Sequence, residues 1–150
     1  MIYIGIDPGV NTGYAEWSVK QQKFLAVDSG TLNKVLVRLY RLEDYRKNVD
    51  QKAFIHVFME DARQRKWYGT TAQNDRARLQ GAGSIKRDCQ IIEDACKDWG
   101  IPITLVAPKN NVTKLSAEQF KKLTGWQGRT NEHARDAAML VFQFKPTKNN

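Results

Sequence analysis

Three acidic residues and one histidine in this sequence have the types and spacing of a metal site. Asp7 and Glu60 each follow a short run of β-forming residues. Sites of open α/β sheets collect at the strand ends, so we expect these two carboxylates to converge. His133 and Asp136 are spaced i and i+3 and share one face of a predicted helix. Such a set binds Mg²⁺ or Mn²⁺, and paired ions stabilise both the attacking water and the leaving oxygen of a phosphodiester.

Each of the four residues also has a structural interpretation. Asp7 precedes a Pro-Gly pair and suits a turn, and His133 can cap or pack its own helix. The alternative arginine partners are Arg63 for Glu60, and Arg129 or Arg135 for Asp136. An acid inside an apolar pattern is costly unless it meets a partner or a metal, and this favours the metal interpretation for the whole set.

The charge balance of the chain favours a polyanionic partner. It has 24 Lys and Arg against 16 Asp and Glu, a net charge of +8 and a pI near 9.6. The cations concentrate in residues 63–87 and 109–129, and a solvated surface is the alternative interpretation of both stretches. The predicted DNA contacts are Arg63, Arg65, Lys66, Arg76, Arg78, Lys86, Arg87, Lys109, Lys114, Lys121 and Lys122.

Two adjacent aromatic residues, Trp67 and Tyr68, lie among the first group of cations. Aromatic rings stack on exposed bases, so both are predicted to contact DNA. The alternative is that Trp67 packs in the core.

Residues 1–150 are predicted to form a single α/β domain with a mixed five-stranded sheet flanked by helices, because three leading strands are followed by alternating helices and strands. The strands are expected at residues 2–7, 12–19, 23–27, 54–59 and 101–106. The helices are expected at residues 33–47, about 72–99, 116–124, and from Thr130 or Asn131 to about Phe144.

Composition describes a globular protein. The chain is 41% apolar with a mean hydropathy of −0.58, and no apolar run approaches the roughly 20 residues that cross a bilayer. The first residues lack the pattern of a signal peptide, so we expect no membrane partner and a cytoplasmic location. Cys89 and Cys96 are seven apart on a predicted helix, too far for a disulfide, and are expected to be reduced core residues.

The sequence resembles RuvC-type Holliday junction resolvases at three places. Residues 4–14 (IGIDPGVNTGY) are similar to their opening strand and turn, and residues 133–138 (HARDAA) are similar to their last catalytic helix. Glu60 matches the carboxylate that ends their fourth strand. The order of helices and strands agrees with that family across nearly the whole chain.

This resemblance implies an RNase H-like fold, a homodimer, and metal-dependent nicking of two opposed strands of a four-way DNA junction. By position, Asp7, Glu60 and Asp136 are metal ligands for Mg²⁺, with Mn²⁺ also expected to support activity. His133 stands where relatives carry Asp or His. Asp61 is left out, because neighbouring residues of a strand point to opposite sides.

Two features depart from the cellular bacterial members of that family. The connection between residues 109 and 133 is shorter, and Arg63 stands where those members have an aromatic wedge. Trp67 and Tyr68 are the nearest candidates for a wedge here.

Three other functions share parts of this pattern. Actin-like ATPases have a similar first loop but need two such domains, so no nucleotide cofactor is expected. An RNase H acting on RNA:DNA hybrids is a closer alternative, although its essential Glu usually opens a helix. A processing or binding module of the YqgF type is the third, and it retains only part of the acid set.

Overall fold

Five strands and four main helices make up the part of the chain that the structure describes. The structure is a computed structural model, which describes residues 1–65, 75–109 and 114–142, with the backbone alone for residues 75–78. The strands are β1 (Ile2–Asp7), β2 (Thr12–Ser18), β3 (Lys23–Gly30), β4 (Ile55–Glu60) and β5 (Ile103–Val106). The helices are α1 (Leu32–Asn48), α2 (Asp75–Trp99), α3 (Ala117–Thr124) and α4 (Glu132–Met139), with a 3₁₀ turn at Ala62–Gln64.

The strands form one mixed sheet in the order β3-β2-β1-β4-β5, which confirms the predicted fold class. The first three strands are antiparallel, whereas β4 runs parallel to both β1 and β5. Ile6 pairs with Met59. The residues that follow them, Asp7 and Glu60, therefore end neighbouring strands at the same edge of the sheet.

Two hydrophobic layers cover the two faces of this sheet. Alternate residues of a strand point to opposite faces, so Ile4 and Ile6 of β1 pack with Cys89 and Ile92 of α2. Tyr3 of β1 belongs to the opposite layer, which contains the side chains that α3 and α4 bury. Asp7 has the same parity as Tyr3 and lies on the α4 side.

Two glycines let α4 approach the sheet at backbone distance. A Cβ added to Gly5 would lie 1.9 Å from the carbonyl oxygen of Ala137, and one added to Gly13 would lie 1.9 Å from that of His133. Gly13 pairs with Asp7 across β1 and β2. Any side chain at Gly5 or Gly13 would push α4 away from the end of β1.

The helix ends follow their local capping residues. Ser116 and Gln119 form a capping box at the start of α3, and Asn131 caps α4 by accepting a hydrogen bond from Ala134. Helix α4 ends at Met139, so the prediction that it continues to about Phe144 was too long. Strand β3 is longer than predicted and reaches Gly30.

Cys89 and Cys96 are buried and free, as predicted. Within the described ranges, no helix has both the length and the apolar character needed to cross a membrane.

Candidate active site

The four predicted site residues line one cleft of about 490 Å³. Asp7 comes from β1, Glu60 from β4, and His133 and Asp136 from α4. The structure therefore brings together side chains that are up to 129 positions apart in the sequence, as the strand-end argument predicted. Their roles as metal ligands stay a prediction.

Asp7 is more enclosed than His133 and Asp136. It is 8% exposed, and its Oδ2 lies 2.9 Å from Nδ1 of His133. Burial raises the pKa of Asp7, and the nearby charge of Asp136 raises it further, although the contact with His133 acts in the opposite direction. The turn interpretation of Asp7 is incomplete, because its carboxylate faces α4.

Glu60 lies close enough to Asp7 for the two charges to interact. Burial raises the pKa of Glu60, and the negative charge of Asp7 is the next contribution. The suggested pairing of Glu60 with Arg63 is wrong, because Arg63 binds Asp61 and Glu93 instead.

Asp136 contacts a lysine of the same cleft. Nζ of Lys114 donates to Oδ2 of Asp136 and lies 3.3 Å from Oε1 of Glu132. Partial burial opposes the charged form of Lys114, but the hydrogen bond and charge of Asp136 outweigh it and raise the pKa of this lysine. The alternative partner Arg135 donates instead to the carbonyl oxygens of Leu115 and Thr130.

The cleft contains residue types that bind divalent cations, but their side chains are too far apart to hold an ion as they stand among the described residues. Carboxylates with an imidazole are suitable ligands for Mg²⁺ or Mn²⁺. Burial raises the pKa of both Asp7 and Glu60, and the other acids of the cleft raise both further, so a bound cation would favour their charged forms. Among the described residues, however, no three His, Cys, Asp or Glu side chains are gathered closely enough to hold an ion. His133 and Lys114 already engage Asp7 and Asp136.

Two further predicted DNA contacts, Arg65 and Lys86, line the same cleft as Lys114. The remaining cations that can be placed are exposed and lie outside the cleft lining: Arg87, Lys109, Lys121 and Lys122. Lys66, Trp67 and Tyr68 fall outside the described residues, as do the side chains of Arg76 and Arg78.

Arg63, another predicted DNA contact, is bound within the chain. Its Nε lies 2.7 Å from Asp61, and its terminal nitrogens lie 2.6 Å from Glu93 and 2.7 Å from the Gln90 side chain. These bonds join the end of β4 to α2, so the guanidinium supports the fold and is not free for phosphate. Asp61 is 3% exposed and belongs to this cluster, which agrees with its omission from the metal set.

The glycines of α2 form an open part of the cleft region. Gly81 and Ala82 line the cleft, and a Cβ added to Gly81 or Gly83 would meet no described atom within 4 Å. Within the described residues, neither glycine therefore packs against the sheet.

Sequence reasoning missed two contributions to the site. Lys114 was predicted to contact DNA, but its direct contact with Asp136 was not foreseen. The close approach at Gly5 and Gly13 was also missed. The available signal was two glycines on neighbouring strands together with the alanines of α4, a combination that lets a helix pack closely on a sheet.

Comparisons with known proteins identify the fold. No protein-family model matches this chain, and no curated protein matches it. The chain is similar to the solved structure described as T. thermophilus RuvC in complex with Holliday junction substrate. That similarity has a TM-score of 0.55 and 14% identity, and it covers 95% of this chain and 91% of the other. The protein thus has an RNase H-like fold, as its sequence predicted.

Proposed function

We propose that this protein is a Holliday junction resolvase, a metal-dependent endonuclease that nicks opposed strands of branched DNA. One observation carries the proposal: Asp7, Glu60, His133 and Asp136, which resemble the catalytic residues of RuvC-type resolvases, line a single cleft. The fold is shared with T. thermophilus RuvC, which was solved in complex with Holliday junction substrate. That likeness supports the substrate class.

In this proposal Asp7, Glu60 and Asp136 hold Mg²⁺, together with His133, and Mn²⁺ also supports activity. The bound ion supplies a Lewis acid and an activated water. Asp7 is held at the end of β1 by its contact with His133, and α4 is held over Asp7 by its close packing on Gly5 and Gly13. The protein thereby fixes two of its proposed ligands relative to each other.

The positive side chains of the cleft orient the substrate. Arg65 and Lys86 line the cleft beside the acids, at positions where they attract a phosphate backbone. Arg87 extends the basic surface along α2.

A homodimer would supply the second nick. One site cuts one strand, whereas a C₂ dimer presents two equivalent sites to a junction of approximate twofold symmetry. Helix α2 is the proposed contact, around residues 79–92, because Leu79 is 58% exposed and the glycines beside it are open. Sedimentation at micromolar concentration should give about twice the 17.2 kDa chain mass.

A nuclease acting on RNA:DNA hybrids is the second candidate, and a substrate panel separates the two. The protein is incubated with Mg²⁺ and a labelled four-way junction, a hybrid duplex or a linear duplex, and the nicks are mapped. A resolvase cuts the junction at symmetrically placed positions and leaves the linear duplex intact. Cleavage of the hybrid alone would overturn the proposal. If the protein binds the junction but does not cut it with any divalent metal, a non-catalytic module of the YqgF type would be favoured.

A further inference from the structure

The contact between Lys114 and Asp136 places a cation where the proposed function needs a metal ligand. Lys114 Nζ donates to Oδ2 of Asp136, whose side chain is 20% exposed. A carboxylate oxygen that accepts from an ammonium is hindered from binding a metal ion at the same time. The ammonium therefore serves as the counter-ion of Asp136.

The backbone around Lys114 is fixed to the helix that carries the acid. Arg135 of α4 donates from Nε to the carbonyl oxygen of Leu115 at 2.8 Å, and it also bonds the carbonyl oxygen of Thr130 at 3.0 Å. These bonds hold the residue next to Lys114 against α4. The long side chain of Lys114 is the part that is able to move.

A second acceptor for the ammonium is already in place. Glu132 is the first residue of α4, its Oε1 lies 3.3 Å from Lys114 Nζ, and its side chain is 57% exposed. Glu132 does not line the cleft, whereas Asp136 does. A small movement of Lys114 toward Glu132 would therefore release Asp136 without leaving the ammonium unpaired.

We propose that Lys114 is an exchangeable occupant of the metal site, which leaves Asp136 for Glu132 when a divalent cation binds. The inference rests on the proposed function, because it assumes that Asp136 is a metal ligand. It assigns Lys114 a positioning role: the lysine keeps the acids of the metal-free protein compatible with folding and lowers the apparent affinity for metal. Arg135 supports this role by holding the backbone at Leu115.

The size of the effect follows from the strength of the ion pair. A partly exposed pair contributes about 1 kcal/mol, so the preference of Lys114 for Asp136 over Glu132 is at most roughly fivefold. A metal ion that binds only when Lys114 has left Asp136 has its affinity lowered by that population ratio. Removing the lysine should therefore tighten metal binding by up to about fivefold.

The test measures binding of Mn²⁺ to DNA-free protein by calorimetry, with no reliance on cleavage. Lys114→Gln should bind Mn²⁺ more tightly than the wild type, by up to about fivefold, and Lys114→Arg should stay near the wild type because it keeps the charge. Lys86→Gln is the matched control. It removes one positive charge from the same cleft, yet Lys86 makes no hydrogen bond to the acids within the described residues, so its affinity should change less than twofold.

Two further measurements separate exchange from a general charge effect. Glu132→Gln should weaken Mn²⁺ binding in the wild type but change it much less in the Lys114→Gln background, because the acceptor matters only while the lysine is present. The rise in melting temperature on adding Mn²⁺ should be larger for Lys114→Gln than for the wild type.

The outcomes distinguish this inference from the proposed function. If Lys114→Gln binds Mn²⁺ no more tightly than Lys86→Gln, while Asp7→Asn weakens binding, the exchange is wrong and the metal site stands. If Asp7→Asn binds Mn²⁺ as well as the wild type, the metal site and the exchange are both wrong.

Discussion

Glu60 and Asp61 are neighbours in the sequence but belong to two different kinds of acid cluster. Glu60 faces the cleft, where burial and the charge of Asp7 raise its pKa. Asp61 is buried beside Arg63, and although burial alone would raise its pKa, the hydrogen bonds from Arg63 outweigh burial and lower it. In the cleft, burial and like charge thus disfavour the ionised carboxylate, whereas beside Arg63 the ionised carboxylate is stabilised by hydrogen bonds.

The difference separates residues that serve binding from residues that serve stability. Asp61, Arg63 and Glu93 join the end of β4 to α2 through short ion pairs, and their charges are matched inside the chain. In the cleft, burial and neighbouring acids disfavour the charged forms of Asp7 and Glu60, and a metal ion would stabilise those forms. A carboxylate whose pKa is raised by desolvation and like charge is a candidate functional group for this reason.

The largest expected effect is the loss of cleavage in Asp7→Asn. A metal ion stabilises transition-state charge by several kcal/mol, so removing a ligand should lower the cleavage rate by about a thousandfold. Junction binding should stay intact or become tighter, because one negative charge is removed near the phosphates. Glu60→Gln and Asp136→Asn should behave alike. The measurements are cleavage rate and gel-shift affinity on one labelled junction, and loss of binding together with activity would count against the ligand role.

The second effect tests the packing that unites the site. Gly13→Ala places a methyl group against the backbone of His133, so α4 must shift; this should cost about 1–3 kcal/mol of stability. A shift near 1 Å at the acids should lower cleavage about a hundredfold. Gly83→Ala is the control, since its Cβ meets no described atom and alanine favours a helix by up to about 1 kcal/mol. Equal behaviour of the two variants in urea unfolding would show that α4 does not need the close approach.

The third effect concerns the ion-pair cluster of Asp61, Arg63 and Glu93. Arg63→Ala leaves Asp61 buried without its main partner, so the free energy of unfolding should fall by about 3 kcal/mol. Asp61 has a lowered pKa in the folded state, so its stabilising contribution exists above its unfolded pKa and is lost as pH falls through its folded pKa. The variant should therefore show less acid destabilisation than the wild type. A loss of junction affinity with unchanged stability would instead restore Arg63 as a DNA contact.

The smallest effect is a gain in stability when the charge of Glu60 is removed. Glu60 has a raised pKa, so its contribution is present below its unfolded pKa and is lost as pH rises through its folded pKa. Without metal at pH 8, Glu60→Gln should be more stable than the wild type, because the charged form of Glu60 is disfavoured by burial and by the charge of Asp7. The gain should vanish near pH 4 and reverse with saturating Mg²⁺. Thermal melts at both pH values measure this, and a destabilised variant at pH 8 without metal would contradict it.

The sequence predicted the sheet and the four cleft residues because both follow from periodic signals. Strand alternation and strand ends located Asp7 and Glu60, and helical spacing located His133 and Asp136. The contact between Lys114 and Asp136 could not be predicted in this way. It depends on how the connection before α3 folds back onto α4, and periodicity does not encode that path. The ion pair of Arg63 was missed for a related reason: its partner Glu93 lies 30 residues away on α2, and only the folded chain brings them together.

Cleavage of a supercoiled plasmid that extrudes a cruciform tests the central claim most directly. With Mg²⁺, the wild-type protein should convert the plasmid to linear product by paired nicks within one binding event. Excess Asp7→Asn subunits should divert the product to nicked circles, because mixed dimers contain one active site. A yield of linear product that does not change when inactive subunits are added would contradict the account. Cleavage of an RNA:DNA hybrid by a protein that leaves the cruciform intact would contradict it as well.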